Sequence, residues 1–103
     1  MAKIVRISKE EASRRLADVP DDKRFWCRDG RLIKNLRELG SALNEMSAES
    51  FDHHSGQGRS DFANWVREVI GDEKLAKDLA RAKSPGQAGK AVAERVSFLE
   101  SKL

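Results

Sequence analysis

Leu32-Ile33-Lys34-Asn35-Leu36-Arg37-Glu38-Leu39-Gly40-Ser41-Ala42-Leu43-Asn44-Glu45-Met46 is the stretch on which the fold turns. Leu32, Leu36, Leu39, Leu43 and Met46 recur at intervals of 4, 3, 4 and 3, and Ile33 widens the stripe. That spacing predicts a helix of about four turns with one apolar face, capped by Asp29. The same pattern suits a coiled coil, but it lasts only two heptads, short of the roughly 3–4 such an assembly needs. A core helix in a monomer is the primary reading; a dimer seam through Leu32, Leu36, Leu39, Leu43 and Met46 is the alternative.

Downstream, the chain is built from the same kind of unit. Ser47 caps a short helix in which Phe51 faces inward and which carries His53 and His54. Ser55-Gly56-Gln57-Gly58-Arg59-Ser60 reads as a loop. Ser60 or Asp61 caps a helix with Phe62, Trp65, Val66, Val69 and Ile70 on one wide face. Gly71 suits a left-handed helix stop, and Asp72 caps the next helix, which carries Leu75, Ala76, Leu79 and Ala80. Ser84-Pro85 opens the last helix, whose face is Ala88, Val92, Val96, Leu99 and Leu103, with Ala91 and Phe98 beside it.

Upstream, Ile4-Val5-Arg6-Ile7 reads as a short strand and Ser8-Lys9-Glu10-Glu11 as a capping box. The helix that follows reaches Ala17 or Asp18, with Ala12 and Leu16 on its apolar edge. Pro20-Asp21-Asp22 is a turn. Arg24-Phe25-Trp26-Cys27-Arg28 has strand character, and Asp29-Gly30 is a turn dipeptide. The two extended pieces could pair as a ribbon, which would have to pack on helices. The expected architecture is mainly α: one domain over residues 1–103, a bundle of about five to six short helices, with a small two-stranded ribbon near the N-terminus.

Composition agrees with one small globular domain. The 103 residues are 39% hydrophobic and 36% charged, the latter above the usual share of about 25%. No apolar run approaches the roughly 20 residues of a membrane span, and no apolar stretch of signal-peptide length precedes Lys9. A soluble, cytoplasmic protein is expected. The single cysteine, Cys27, leaves no partner for an intrachain disulfide.

A net charge of +3 and a pI near 9.2 invite a nucleic-acid reading. The halves weaken it: residues 1–50 carry 11 basic and 9 acidic side chains, residues 51–103 carry 9 and 8. The densest basic cluster is Lys23, Arg24, Arg28, Arg31, Lys34 and Arg37, interleaved with Asp21, Asp22, Asp29 and Glu38. A second contains Lys74, Lys77 and Arg81, which share a helix face, followed by Lys83. Arg28, Arg31, Lys34, Lys74, Lys77 and Arg81 are the candidate phosphate contacts. A solvated, charged helix surface is the simpler account of both sets.

Chemistry is sparse. His53 and His54, with Asp61, form the candidate metal or small-ligand site, since imidazole is a common metal ligand. Adjacent helical residues point about 100° apart, however, and no HExxH, HxH or CxxC spacing supplies further ligands. One histidine hydrogen-bonding near Asp61 is the structural alternative. Cys27 lacks a local base and oxyanion donors, which favours a buried, inert thiol. Gly56-Gln57-Gly58 is not a phosphate loop, Asp21/Asp22 and Glu10/Glu11 lie in solvated contexts, and Phe62 with Trp65 reads as core. No catalytic residue, cofactor or metal motif stands out. The expected role is a non-enzymatic helical interaction or regulatory module with a protein partner; nucleic-acid binding and ligand binding at His53/His54 are the alternatives.

Phe25 with its turn, Leu32 to Leu39, Phe51-Asp52-His53-His54, Ser60-Asp61-Phe62-Ala63-Asn64-Trp65-Val66 and Gly71 to Ala76 occur in an order that resembles a small prokaryotic domain family of unknown function. Its pattern has an aromatic start, an sLxEL helix, an aromatic-x-His segment, NDFaxWv and an LA helix. The resemblance runs from Phe25 to Ala80 and is most specific at Asp61 to Val66; Ser60 stands where the pattern has Asn. It implies that these segments form one unit in which His53/His54 meet Asp61 to Trp65. It implies no activity.

Overall fold

The Leu36 stripe forms the helix at the centre of the computed structural model, which describes residues 7–56 and 60–103. The elements in chain order are α1 (Lys9–Leu16), β1 (Phe25–Trp26), β2 (Leu32–Ile33), α2 (Leu36–Glu45), α3 (Ala48–Ser55), α4 (Asp61–Trp65), α5 (Glu73–Arg81) and α6 (Pro85–Glu100). Asp21–Lys23 makes a 3-10 turn, and Val66–Ile70 continues α4 with a wider turn. The domain is thus mainly helical, with one small antiparallel sheet near its N-terminus. Among the described residues no helix is long and apolar enough to cross a membrane.

Leu36, Leu39 and Leu43 are completely buried and Met46 nearly so. α6 of the same chain packs along α2, against the flank that carries Gly40 and Asn44. Leu36, Leu39, Leu43 and Met46 are therefore core within one chain, whereas Leu32, the remaining member of the alternative seam, is exposed in β2. Two glycines allow the close crossing. A Cβ on Gly40 would lie 3.2 Å from Val92 Cγ1, and one on Gly89 would collide with Asn44 Oδ1. Small residues at such a crossing let helix backbones approach.

The start of this helix differs from the expected one. Asn35, not Asp29, is the N-cap: its Oδ1 accepts from Glu38 N–H at 2.8 Å. Glu38 in turn accepts from Lys34 N–H at 3.0 Å, a reciprocal arrangement like a capping box. Leu32 and Ile33 therefore lie outside the helix, in β2. Phe25 pairs with Ile33 and Trp26 with Leu32. Cys27 N–H donates to Arg31 O and Gly30 N–H to Cys27 O, closing a three-residue turn with Gly30 at φ 97°. The ribbon partner of Phe25-Trp26 among the described residues is thus Leu32-Ile33. Ile7 is not in a strand, and Ile4 to Arg6 lie outside the described residues, as do Gln57 to Arg59 of the Ser55–Ser60 loop.

The other caps follow the sequence closely. Ser8, Ser47, Ser60, Asp72 and Ser84 each accept from the backbone N–H three residues on. Ser60 rather than Asp61 caps α4. Glu11 does not reach back to Ser8; its carboxylate binds Arg14 and Arg15 instead. Those hydrogen bonds, with the two positive charges, hold the Glu11 carboxyl down at about 2. After Trp65 the helix loosens, and Gly71 N–H donates to Val66 O at 2.7 Å, a five-residue step. Phe62, Val66 and Ile70, four apart, all stay buried, because the wider turn keeps that spacing in line. Gly71 is left-handed at φ 83°. In α6 the face is Ala88, Gly89, Val92 and Leu99, while Leu103 lies beyond the last turn and is exposed.

Candidate functional site

Two places gather side chains with chemical potential: the ribbon with α3, and the junction of α1, α5 and α6. At the first, Phe25, Cys27 and Ile33 point into the core. Phe25 stacks on Phe62 with centroids 5.2 Å apart and meets the Trp65 ring edge-on at 6.0 Å. Trp65 Nε1–H donates to Lys23 O at 2.7 Å, which ties α4 to the chain entering β1.

His54 closes the other side. Its Nε2 accepts from Arg28 N–H at 2.9 Å, and its Nδ1 lies 3.0 Å from Asp61 Oδ2. A backbone amide can only donate, so Nε2 carries no proton; the hydrogen sits on Nδ1 and is given to Asp61. The ring is buried against both Phe25 and Phe62. His54 thus clasps the hairpin turn to α3 and to the first residue of α4. His54 meets the Asp61 to Trp65 segment at Asp61 and Phe62, and the two histidines do different things. His53 is exposed, its ring almost perpendicular to that of His54, with Nδ1 3.3 Å from Arg28 Nη1. With both nitrogens of His54 engaged, the pair presents no joint chelate. Among the described residues no three of His, Cys, Asp and Glu are grouped to hold a metal ion. Cys27 is buried, and burial pushes its thiol above the usual range, which suits packing rather than nucleophilic attack.

The opposite face of the ribbon is open. Alternation along β1 sends Trp26 outward when Phe25 and Cys27 point in, and 75% of Trp26 is exposed. Its cross-strand partner Leu32 is 49% exposed. The Cys27–Arg31 hydrogen bond makes Trp26 and Leu32 the non-hydrogen-bonded pair, in which side chains approach most closely. Beside Leu32 a cleft of about 500 Å³ lies between β2 and α2. The sequence spacing hides this patch, because Leu32 falls in step with the α2 stripe; the signal that could have found it is the alternation Phe25-Trp26-Cys27.

At the second place, Asp72 is fully buried. Its Oδ1 caps α5 by accepting from Leu75 N–H at 2.9 Å. Its Oδ2 accepts from Arg95 Nε at 2.8 Å and Arg15 Nη1 at 3.0 Å. Burial alone would raise this carboxyl, but the Arg95 and Leu75 hydrogen bonds, the Arg95 charge and the Arg15 hydrogen bond outweigh it, and its pKa lies below the ordinary value. The sequence reading sees the cap and misses the ion triad.

The basic candidates fall into two separate sets. Arg28, Arg31 and Lys34 border the ribbon, where Arg28 meets Glu49, Arg31 meets Glu45 and Asp29, and Lys34 meets Asp18. Lys74 pairs with Asp78 on α5, where Lys77 and Arg81 are exposed. Among the described residues no ion pair or hydrogen bond joins the sets. No family model, curated protein or solved structure matches the chain.

Proposed function

We propose that the protein is a non-enzymatic interaction module whose contact surface is the outer face of the ribbon. One observation carries this reading: an exposed tryptophan stands beside an exposed leucine on a hairpin whose other face is anchored by Phe25, Cys27 and Ile33. An indole held on a rigid element loses little entropy on binding, and tryptophan is enriched among residues that dominate interface energies. The inert placement of Cys27 and the engaged nitrogens of His54 support a binding role over a catalytic one.

The test is affinity capture from cells of the native host with three forms of the full chain: wild type, Trp26→Ser with Leu32→Ser, and Phe98→Ser. Phe98 is also exposed but sits on α6. A partner set held by wild type and Phe98→Ser and lost with the ribbon variant is the expected result. Capture unaffected by the ribbon variant would overturn the reading.

A further inference from the structure

His54 is a titratable side chain used as a structural acceptor, and its two bonds respond oppositely to a proton. At Nδ1 the ring donates to Asp61 Oδ2 at 3.0 Å, and a positive charge on the imidazole strengthens that contact. At Nε2 it accepts from Arg28 N–H at 2.9 Å, and a proton placed there sets two donors face to face. The backbone amide cannot reverse its role, so this bond breaks. Protonation thus keeps the tie between α3 and α4 and cuts the tie to the hairpin turn.

The charged groups around the ring act in the same sense. Asp61, on α4, attracts the cation. Arg28, on the turn, places Nη1 3.3 Å from Nδ1 of His53, the neighbour of His54 on α3, and Nη2 3.5 Å from Glu49 Oε1. Positive charge on either histidine repels this guanidinium. Cys27, next to Arg28, stays a neutral thiol because burial pushes it up, and Asp29 is held by Arg31 at 3.3 Å. Phe25 and Phe62, against the ring, bring no charge. Imidazole ordinarily changes charge between about pH 5 and 8, where Asp72 and Glu11, both held below the ordinary carboxyl range, remain ionised. A release in that interval is therefore local to the hairpin.

We propose that His54 is an acid-sensitive latch: neutral, it locks the Cys27–Arg31 turn onto α3, and protonated, it releases the turn while remaining bound to Asp61. Trp26 and Leu32 stand on the hairpin that is released, so the latch governs the order of the ribbon's outer face. The latch stands on the His54 geometry and does not depend on that face being the contact surface.

The experiment is nuclear magnetic resonance of the full, nitrogen-labelled chain, stepped from about pH 7.5 to about pH 5. The imidazole nitrogen signals report protonation of His54. Amide hydrogen exchange, corrected for its intrinsic dependence on pH, reports the turn. Protection at Arg28 should fall by about tenfold or more in step with protonation of His54, while the α2–α6 amides keep theirs. His54→Gln, which offers an acceptor without titrating, should remove this pH dependence, and His53→Gln should retain it. Far-UV circular dichroism checks that each variant is folded; if His54→Gln is not, coincidence of the two wild-type curves decides the matter. His54 remaining unprotonated at Nε2 throughout, protection at Arg28 that does not follow its protonation, or a change abolished by His53→Gln would overturn the inference.

Discussion

Two regions of the molecule each bury a polar side chain and compensate it differently. At the junction of α1, α5 and α6, Asp72 is ionised and receives three donors from three elements: Arg15, Arg95 and its own cap partner Leu75. Beneath the ribbon, His54 is neutral and makes one bond through each nitrogen, to Arg28 N–H and to Asp61. A charged centre of the first kind binds helices together across long stretches of chain, and losing its acid strands the Arg95 guanidinium and leaves Arg15 with Glu11 alone. The neutral centre holds one hairpin turn, and losing it frees one backbone donor at the edge of the fold. The first should therefore act globally and the second locally.

The largest effect is expected from Asp72→Ala. Arg15 and Arg95 are largely buried and would lose their shared acid while α5 lost its cap. Removal of one partner from a buried pair costs about 3–5 kcal/mol, read as a lower urea midpoint. Arg15→Met should cost clearly less, because Arg95 still neutralises Asp72. Equal losses in the two variants would mean that Arg95 alone does not neutralise Asp72.

The same centre sets the acid limb of stability. Asp72 has a folded pKa below its unfolded one, so its contribution is complete above the ordinary carboxyl range and is lost as pH falls through the folded value. Glu11, lowered from 4.5 to about 2, behaves likewise: its contribution is present above about 4.5 and fades as pH drops toward 2. Glu11 is partly solvated, so its share is the smaller. Asp72→Asn should flatten the stability profile below about pH 4 more than Glu11→Gln does. The reverse order, measured by denaturation at stepped pH, would place the main acid-sensitive contact on the α1 surface.

His54→Leu should cost about 1–3 kcal/mol, because Arg28 N–H loses its acceptor in a partly buried position. Hydrogen exchange should rise first at Arg28 and around the hairpin turn, with the α2–α6 amides little affected. In the wild type, long-range nitrogen–proton spectra should show Nε2 of His54 as the unprotonated nitrogen. Protonation at Nε2 would mean that the clasp is not made.

How much of this was legible depends on how far apart the determining residues lie. The burial of Leu36, Leu39, Leu43 and Met46 follows from local helical periodicity, and five caps follow from a side chain and an amide three residues away. Leu32 misleads because an outward strand residue four before Leu36 falls in step with the helix. Asn35 followed by Glu38 marks the true start, and that local signal outranks the periodicity. His54 shares a helix side with Phe51, three residues earlier, so its inward position was readable; its bond to Arg28, 26 residues away, was not. Arg15 lies 57 and Arg95 23 residues from Asp72, and no local pattern announces that meeting. The resulting triad depends on how α1 and α6 dock, a property of the assembled core.

The smallest effect on stability should come from Trp26→Ser, and its smallness matters for the comparison. Trp26 is mostly solvated, and what it contributes to the ribbon is a cross-strand contact with Leu32 worth about 0.2–1 kcal/mol. A loss within about 0.5–1 kcal/mol is therefore expected, despite the size of the side chain. Trp65, buried and bonded to Lys23 O, provides the internal contrast. Acrylamide should quench one tryptophan readily and the other poorly in the wild type, and the readily quenched component should vanish in Trp26→Ser. A loss above about 2 kcal/mol would show that the indole holds the hairpin in place. The ribbon would then owe its order to Trp26 as well as to the His54 clasp, and the exposed indole would need no partner to account for it.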